Sequence, residues 1–578
     1  MRSPHFTVTP QPLTLSRIAP VNVRQLDGGA WLLDFGRAAF GTLEFATSLG
    51  RTLVHLGEKL DAEGRVDRNP PGCIRYCCIE LDVSEAGERL VIPPDQRNTG
   101  PGAVKMPPEI GEVFPFRYVE VEAGPDFDPQ CVTQLAAHYP FDDDASHFEC
   151  SDSGLNAVWN ICKYTIKATT FCGVYVDGDR ERIPYEGDAY INQLGHYCTD
   201  QEYAMPRYSH EYLLQQPTWP TEWQYHSVMM AWEDFCYTGE KASLRKFSGI
   251  LQRKTLIDLA REDGLISTKE PAPTREFEES LNLWNERYIF DHGLRDLVDW
   301  PPGSFASGGV GERDDHDMRP VNTVVNAMHA YACRLIGNML ELLGDTAKAA
   351  RYHEQSVRVK QRLNELMWHA DRGVYVDGEG SDHSSLHSNM FMLAFCLVPE
   401  ERQASVAAFI KSRGMACSVY GAQYLLESLY NAGEAEAALS LMTAEHDRGW
   451  LHMINSGSSM TWEAWDWKYK NNLDWNHAWG AAPANIIPRC LMGVKPEAGF
   501  RRVTIQPQPA SLRWAKLKHP TPHGPIHLSL VNEPGQAMSL ELELPAGVEA
   551  TVILPDASGT LQTFQGLTGR HHLNPASA

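Results

Sequence analysis

The sequence predicts a multidomain α+β protein in which a long helical region lies between two antiparallel β-sandwich domains. Short apolar runs separated by Gly, Pro and Asp occupy residues 31–121, a pattern typical of antiparallel strands. After residue 150, apolar residues recur every three to four positions over about 340 residues, as in helices that bury one face. Past Gly499 a strict alternation returns. The order β, all-α, β predicts a helical toroid flanked by two sandwiches.

The N-terminal β domain is predicted to cover residues 1–146. Its apolar runs include "WLLDFG", "LEFATSL", "CCIELDV" and "FRYVEVE". β-Branched and aromatic residues fit the half-buried surface of a strand, whereas the Gly, Pro and Asp between the runs favour turns. We therefore expect short antiparallel strands in this domain.

The helical domain is predicted to cover residues 147–497, and the C-terminal β domain residues 498–578. Ser151 or Ser153 is the expected N-cap of the first helix, because a serine hydroxyl accepts a hydrogen bond from a free N–H group of the first turn. Near the C-terminus, "IHLSLV" and "MSLELELP" alternate apolar and polar residues. This alternation predicts strands with one buried face.

Helical hairpins are indicated within the central region. Residues 324–342 carry one apolar stripe, Gly344 and Asp345 stop it, and a second stripe follows at 359–367. This arrangement predicts an αα-hairpin. Similar helix pairs are indicated at 403–430 and 434–443.

Composition excludes several functional classes. The formal net charge is −23 and the sequence pI about 5.4, so nucleic acid and anionic membranes would repel the chain. A secretory h-region and an apolar stretch of membrane-spanning length are both missing from the sequence, which predicts no membrane span and a cytoplasmic location. The thirteen scattered cysteines contain no CxxC pair, which fits a reduced protein without zinc. No phosphate-cradling loop indicates a nucleotide, so we expect no cofactor.

The stretch "VDGDRERIPYEGDAYINQLGHYC", residues 176–198, concentrates acidic side chains on a segment that also contains helix breakers. Gly178 and Pro184 predict a loop, and a helix is expected to begin near Asp188. Glu181 lies in this loop among other carboxylates, which would keep it protonated as a general acid requires. The flanking arginines act in the opposite direction, and a loop of Arg/Glu salt bridges is an equally good interpretation of this stretch alone.

A second cluster of residues favours a functional site over a loop of salt bridges. Residues 456–488, "SGSSMTWEAWDWKYKNNLDWNHAWGAAPANIIP", place five tryptophans around Glu463. Indole N–H groups need partners, and a buried glutamate is unfavourable in a plain core, so this pattern favours a functional site. Two acidic sites far apart in sequence, one of them with aromatic platforms, fit glycoside hydrolysis by two carboxylates.

The chain resembles a known family at several of these motifs. The runs "DGDRERIPYEGDA", "MTWEAWD", "WNHAWGA" and "GFRRVTIQPQP" are similar to those of inverting α-L-rhamnosidases of glycoside hydrolase family 78. "LLDFGRAAFGTLEF", "LVDWPPGS" and "LHSNMFMLAF" extend the resemblance over most of the chain. It implies an (α/α)6 barrel with β-sandwiches on both sides. It also implies removal of terminal α-L-rhamnose from small rhamnosides, with inversion at the anomeric carbon.

The resemblance assigns roles to four residues at matching positions. Glu181 stands where the family has its general acid, and Glu463 where it has the base that activates water. Asp188 keeps the family's spacing from the acid and would bind rhamnose hydroxyls together with Arg180.

The acid loop departs from the family pattern at two points. The family has Asp-Cys-Pro-x-Arg before its acid, whereas this chain has the shorter "DGDR", so Asp177 and Asp179 compete for the first-aspartate role. Tyr185 replaces a tryptophan four residues after the acid, and this change leaves the identity of the deoxy-sugar open.

Other candidates are weaker. Trp223 and Trp300 correspond to pocket-lining positions of the family, with a core position as the alternative. His477 could bond a sugar hydroxyl or the base carboxylate, although a lone histidine is more often structural. The run "GERDDHDM", residues 311–318, has no firm metal-ligand spacing, so we interpret it as a solvated loop and predict no metal site.

Three other functions remain open at this level. A hydrolase for another sugar could share the fold, and a phosphorylase would need no base carboxylate. A noncatalytic sugar-binding protein would keep the aromatic platforms and could lose either acid. We expect a carbohydrate partner, with a homodimer as one candidate for the oligomeric state.

Overall fold

The computed structural model describes residues 6–123, 127–302 and 311–575. Within the first 138 residues, eight strands are described. They are β1 (Thr14–Ile18), β2 (Asn22–Gln25), β3 (Trp31–Phe45), β4 (Gly50–Gly57), β5 (Tyr76–Val83), β6 (Glu88–Arg89), β7 (Phe114–Glu122) and β8 (Val132–His138).

These eight strands are hydrogen-bonded into one antiparallel sheet with the main order β1-β8-β3-β7-β4-β5. A β-sandwich has two sheets, whereas these strands form a single sheet. The long strand β3 joins them into one sheet because its two parts pair with different strands. One part of β3 pairs with β2 and β7, and its C-terminal part pairs with β8 and β6. The register shifts between Asp34 and Ala39 in β3, and such a bulge bends a strand. The apolar side chains of the sheet enclose their own core.

The middle of the chain is helical, as predicted. Its described helices are α1 (Ser153–Ala168), α2 (Glu186–Thr199), α3 (Ala204–Gln215), α4 (Thr221–Thr238), α5 (Ala242–Arg253), α6 (Arg275–Ser280), α7 (Thr323–Leu343), α8 (Thr346–Leu366), α9 (Leu386–Ala394), α10 (Glu400–Arg413), α11 (Gly421–Asn431), α12 (Ala435–Met442), α13 (Trp450–Asn455) and α14 (Pro483–Ile486).

Among the described helices, six contact one another in a closed cycle. α2 packs against α4, α4 against α7, α7 against α9, α9 against α11, α11 against α14, and α14 returns to α2. All residues of α2 are buried, as are nearly all of α4, which is expected for helices enclosed by others. α5, α8 and α10 keep exposed polar faces. The loops that precede α2, α4, α7 and α14 carry the candidate site.

Local signals set the helix ends. The predicted αα-hairpin is confirmed: α7 ends before Gly344, which has a φ of 86°, and the side chain of Asp345 caps α8. The predicted cap of α1 was wrong. Asp152 occupies that position in place of either serine, and its Oδ1 accepts a hydrogen bond from the N–H of Leu155 at 2.8 Å.

The two-residue strands β10 (Trp368–His369) and β11 (Val374–Tyr375) pair with each other between α8 and α9. The C-terminal strands form two sheets. They are β12 (Val494–Glu497), β13 (Arg502–Ile505), β14 (Trp514–His519), β15 (Ile526–Val531), β16 (Ser539–Glu543), β17 (Glu549–Pro555), β18 (Leu561–Leu567) and β19 (Arg570–Leu573). One sheet has the order β12-β13-β17-β18, and the other β19-β16-β15-β14-β9, where β9 is His147–Cys150.

Two features depart from a purely antiparallel terminal sandwich. β13 and β17 are parallel, which is possible because the intervening strands β14–β16 belong to the other sheet and act as the crossover. β9 precedes the helical region in sequence and pairs with β14. The division of the chain at residues 146 and 497 stays a prediction.

Two further observations concern membrane-spanning helices and cysteines. Among the helices of the described residues, none combines the length and apolar character needed to cross a bilayer. The thirteen cysteines are free thiols in the described chain.

Candidate active site

The two carboxylates assigned to proton transfer come from loops at neighbouring helices of the closed cycle. Glu181 lies in the loop between α1 and α2, and Glu463 lies between α13 and α14. Because α2 packs against α14, these loops meet although 282 positions separate the two glutamates in sequence. Trp223 in the first turn of α4 and Trp300 before α7 lie at the same site.

A cavity of about 290 Å³ lies between these loops. It is lined by all predicted site residues except Asp179, namely Asp177, Arg180, Glu181, Tyr185, Asp188, Trp223, Trp300, Glu463 and His477. Five further residues complete its lining: Trp219, Leu297, Lys470, Asn472 and Trp479. A cavity of this size can enclose one sugar ring.

The Arg180 guanidinium bridges the two glutamates. Its Nη1 donates to Glu181 Oε1, and its Nη2 donates to Glu463 Oε1 at 2.7 Å. Nη2 also lies 3.9 Å from Asp177 Oδ2. The Tyr185 hydroxyl donates to Glu181 Oε2 at 3.0 Å. One cation therefore holds three carboxylates at one wall of the cavity.

Glu463 is buried and ionised. Its side chain is 3% exposed, against 31% for Glu181. The ammonium group of Lys470 lies 2.9 Å from Glu463 Oε1. Burial alone would raise the pKa of Glu463, but the positive charges of Arg180 and Lys470 lower it to about 2. Its Oε2 has no hydrogen-bond partner within the described chain. A buried, ionised oxygen without a partner can accept a proton from a bound water.

Asp177 also lines the cavity and has a buried carboxyl group. Its Oδ1 accepts a hydrogen bond from the Ile183 N–H at 3.0 Å, while its buried Oδ2 has no hydrogen-bond partner in the part of the chain described. Burial and the charge of Glu181 raise the pKa of Asp177 well above its usual range. Gly178 lets the backbone next to Asp177 lie close to Asp474, because a Cβ at position 178 would lie 2.9 Å from Asp474 Oδ2.

Asp179 lies outside the cavity lining, so its predicted contact with substrate is not supported by its position. Its side chain is fully buried between two arginines, 2.8 Å from Arg75 Nε and 2.8 Å from Arg182 Nη2. Asn98 donates to its carboxylate at 3.1 Å. A carboxylate with these partners is a structural anchor, which leaves Asp177 as the aspartate that faces the cavity.

His477 is held between two carboxylates. Its Nε2 is 2.8 Å from Asp188 Oδ1, and its Nδ1 is 3.3 Å from Asp474 Oδ1. Burial alone would lower the pKa of His477, but these two acids raise it well above its usual range. Of the two partners considered for His477, a sugar hydroxyl and the base carboxylate, neither is its ring partner in the described chain, where Asp188 and Asp474 face its two nitrogens.

Ligand atoms of Glu463, Asp474 and His477 lie within 4.8 Å of one another, a spacing that a metal ion could also use. Both ring nitrogens of His477 already face carboxylates, and Arg180 and Lys470 already lie at the Glu463 carboxylate. Each of these two groups therefore has charged partners within the described chain.

Comparison with known proteins decides the family. The family described as the bacterial alpha-L-rhamnosidase 6 hairpin glycosidase domain matches residues 143–258 and 276–491, more than half of the chain. The chain belongs to this family. The bacterial alpha-L-rhamnosidase C-terminal domain matches residues 493–566. The resemblance to α-L-rhamnosidases found in the motifs is thus confirmed.

Individual rhamnosidases are distant relatives. An alpha-L-rhamnosidase of Alteromonas sp. (strain LOR) is 25% identical over 276 residues, which cover 44% of this chain and 29% of the relative. The chain therefore spans less than a third of that curated relative's length.

Solved rhamnosidase structures share the fold. The alpha-L-rhamnosidase of Aspergillus terreus superposes with a TM-score of 0.72 at 18% identity, over 96% of this chain and 63% of that one. The Streptomyces avermitilis alpha-L-rhamnosidase, complexed with L-rhamnose, gives a TM-score of 0.72 at 17% identity, over 97% of this chain and 53% of that one. The multidomain α+β architecture is thus that of rhamnosidases.

Aromatic rings form one wall of this family member's cavity. The rings of Tyr185 and Trp223 meet edge to face with centroids 5.3 Å apart. Gly187 lets the indole approach α2, since a Cβ at that position would lie 2.8 Å from Trp223 Nε1. Trp219 and Trp300 complete this wall.

The five tryptophans near Glu463 have different surroundings. Trp479 lines the cavity, and its Nε1 donates to the Glu463 carbonyl oxygen at 2.9 Å. Trp462 and Trp475 stack on each other with centroids 4.9 Å apart. Trp465 is buried in the core, and Trp467 is 53% exposed. Most of the tryptophan cluster therefore supports the loop rather than the cavity surface.

Sequence reasoning missed several lining residues. Lys470 and Asn472 lie inside the stretch that the tryptophans had marked, so their nearness to Glu463 in sequence was an available signal. Trp219 and Leu297 lie in loops without a comparable local pattern.

The run 311–318 was wrongly predicted as solvated. Asp314 and His316 are buried. Asp314 pairs with Arg413, and His316 Nδ1 lies 3.3 Å from Asp377 Oδ1. Two acidic residues of this run are therefore buried against arginines, Glu312 against Arg448 and Asp314 against Arg413, whereas Asp315 is exposed.

Lys470→Met is expected to move the acidic limb of the pH profile of kcat/KM to higher pH. The pKa of Glu463 is about 2 because two cations favour its ionised form, and removing one raises it. The base then loses its negative charge at a higher pH, by on the order of one unit. Lys468→Met is the matched control, because Lys468 pairs with Asp447 at the surface. An unchanged acidic limb in the Lys470 variant would contradict the assigned electrostatics.

Proposed function

We propose that the protein hydrolyses terminal, non-reducing α-L-rhamnosides with inversion of the anomeric configuration. The observation that carries the proposal is the pair of carboxylates, Glu181 and Glu463, that line one sugar-sized cavity and bind the same guanidinium group. Membership in the bacterial alpha-L-rhamnosidase family supports the choice of sugar. The substrates expected are small rhamnosides or oligosaccharides.

Glu181 is proposed as the general acid. It is the more exposed of the two glutamates, so it can exchange a proton with solvent between turnovers. Tyr185 donates to its Oε2, which fixes the direction in which the carboxyl group faces. In this role Glu181 protonates the glycosidic oxygen as the bond to the anomeric carbon breaks.

Glu463 is proposed as the general base. Its lowered pKa keeps it ionised at neutral pH, and its free Oε2 can take a proton from water. The water then attacks the anomeric carbon from the face opposite the leaving group, which inverts the configuration. This geometry needs roughly 6.5–9.5 Å between the two carboxyl groups.

Three polar groups are proposed to hold the sugar hydroxyls. Asp177, whose pKa is raised by burial and by the charge of Glu181, can hydrogen-bond a sugar hydroxyl through its buried carboxyl group. Asp188, oriented by His477, accepts from hydroxyls. Arg180 donates to ring substituents, and the aromatic wall covers an apolar face of the sugar.

Two alternatives use the same fold. A phosphorylase would leave the buried base without a function, and the charge network around Glu463 argues against it. A hydrolase of a related sugar is the second alternative, because Tyr185 stands where the family pattern has tryptophan and alters the pocket wall.

We also propose that the closed cycle of helices is the inner ring of an (α/α)6 barrel with flanking β domains at 1–146 and 498–578. The thirteen free thiols favour a reducing compartment, which supports the cytoplasm as the place of action.

A panel of nitrophenyl glycosides tests the substrate. The purified protein should release p-nitrophenol from the α-L-rhamnoside, and added EDTA should leave the rate unchanged because the charge network needs no metal. Cleavage of another glycoside with no action on the rhamnoside would refute the sugar assignment. Loss of activity in EDTA that a divalent cation restores would refute the metal-free chemistry.

A further inference from the structure

We propose that Arg75, from the N-terminal β domain, is a positioning residue for catalysis. It fixes the acid loop (residues 177–182) relative to the base loop (residues 473–477). The inference rests on the proposed function for its kinetic consequence, and on buried contacts for its geometry. If this is correct, the N-terminal sheet helps to position the active-site loops, a role that no sequence motif indicated.

Arg75 is a buried cation with two acidic partners. It immediately precedes β5, and its side chain is 1% exposed. Its Nε lies 2.8 Å from Asp179 Oδ2, and its Nη2 lies 2.8 Å from Asp95 Oδ2. The guanidinium also lies over the ring of Phe114, 4.9 Å from its centroid. Two ion pairs and one ring contact therefore surround the buried guanidinium.

Through Asp179, Arg75 reaches the acid loop. Asp179 directly precedes Arg180 and Glu181, so a shift of its backbone displaces both. Asn98 donates to the Asp179 carbonyl oxygen at 3.1 Å, and Arg182 Nη2 contacts its carboxylate at 2.8 Å. The N-terminal β domain thus holds the anchor of the acid loop from outside the helical domain.

A second set of contacts reaches the base loop. The Arg75 N–H donates to Glu58 Oε2 at 2.8 Å, and Glu58 Oε1 accepts from Asn476 Nδ2 at 3.0 Å. Asn476 Oδ1 accepts from the Asp179 N–H at 2.9 Å. These contacts form a closed circuit of four residues. The main chain of Arg75 links it to the base loop through Glu58, and its side chain links it to the acid loop through Asp179.

The backbone reinforces this connection. The Cys73 N–H donates to the Leu473 carbonyl oxygen at 2.7 Å. Gly72 is required there, because a Cβ would lie 2.7 Å from the same oxygen and its φ is 67°. The segment that carries Arg75 therefore lies directly against the loop that carries Asp474 and His477.

The kinetic test uses Arg75→Met. Proton transfer depends on distances within a few tenths of an ångström, so loosened loops should lower kcat by about tenfold or more while KM changes by less than about threefold. Arg75→Lys, which keeps a charge near Asp179, should recover part of kcat. Arg97→Met is the matched control with unchanged kcat, since Arg97 pairs with Asp95 at 2.8 Å and is 44% exposed.

A double-variant test asks whether Arg75 acts through Asp179. If it does, Arg75→Met combined with Asp179→Asn should lower kcat no further than the more severe single variant. If the double variant lowers kcat by the product of the two single-variant factors, Arg75 does not act through Asp179.

Amide hydrogen exchange gives a readout that is independent of activity. Arg75→Met should accelerate exchange in residues 177–182, and Arg97→Met should not. Exchange in residues 473–477 should change less, because the main-chain N–H at position 75 still donates to Glu58. If the unmodified protein cleaves no glycoside, the proposed function fails and the exchange measurement still decides on Arg75. A variant with a lower melting temperature but unchanged kcat and unchanged exchange in both loops would assign Arg75 to stability alone and overturn the inference.

Discussion

Glu463→Gln is expected to lower kcat on the α-L-rhamnoside by a factor on the order of 10² or more. The amide keeps the shape of the side chain and its place beside Arg180 and Lys470, but it cannot take a proton from water. The loss should be the same for good and poor leaving groups, because the base acts on the water and not on the aglycone. The loss of kcat is measured by steady-state kinetics with two rhamnosides, one with a good and one with a poor leaving group.

Asp466→Asn is the matched control for this variant. Asp466 lies three residues after Glu463 and pairs with His452 at 2.8 Å. The carboxylate does not line the cavity, so its kcat should stay within about twofold of the unmodified protein. A folded Glu463→Gln protein with near-normal kcat would remove Glu463 from the mechanism.

Glu181→Gln is expected to show a loss that depends on the leaving group. For an alkyl rhamnoside kcat should fall by a factor on the order of 10² or more, because the alkoxide needs a proton to leave. For a dinitrophenyl rhamnoside the loss should be much smaller, since that phenolate leaves as an anion. Comparing the two substrates in both glutamate variants assigns the acid and the base separately.

Equal losses on both substrates would argue against Glu181 as the acid. Tyr185→Phe provides a useful comparison, because it removes the hydrogen bond to Glu181 Oε2 while it keeps the ring in contact with Trp223. Its effect should be smaller than that of Glu181→Gln and should show the same dependence on the leaving group.

The order of the domains was predictable because hydrophobic period is a local property. Apolar alternation, its replacement by helical spacing and its return marked β, α and β regions, and Gly344 with Asp345 marked the turn of the α7–α8 hairpin. Pairings between distant segments leave no such pattern. The addition of β9 to the C-terminal sheet and the parallel pairing of β13 with β17 depend on tertiary contacts that local spacing does not encode.

The site was predictable where its residues are dense in sequence. The acid loop and the tryptophan-rich segment each supplied several cavity residues, whereas Trp219 and Leu297 come from isolated positions. Spacing alone left Asp177 and Asp179 as competitors. Their surroundings separate them, because Asp179 lies 2.8 Å from Arg75, which precedes β5, whereas Asp177 lines the cavity.

The ¹H NMR time course of the sugar released from an α-L-rhamnoside tests the central claim most directly. Inversion by Glu181 and Glu463 predicts that β-L-rhamnose appears first and that the α-anomer accumulates only at the rate of mutarotation. Appearance of α-L-rhamnose first would contradict the proposed two-carboxylate inverting mechanism.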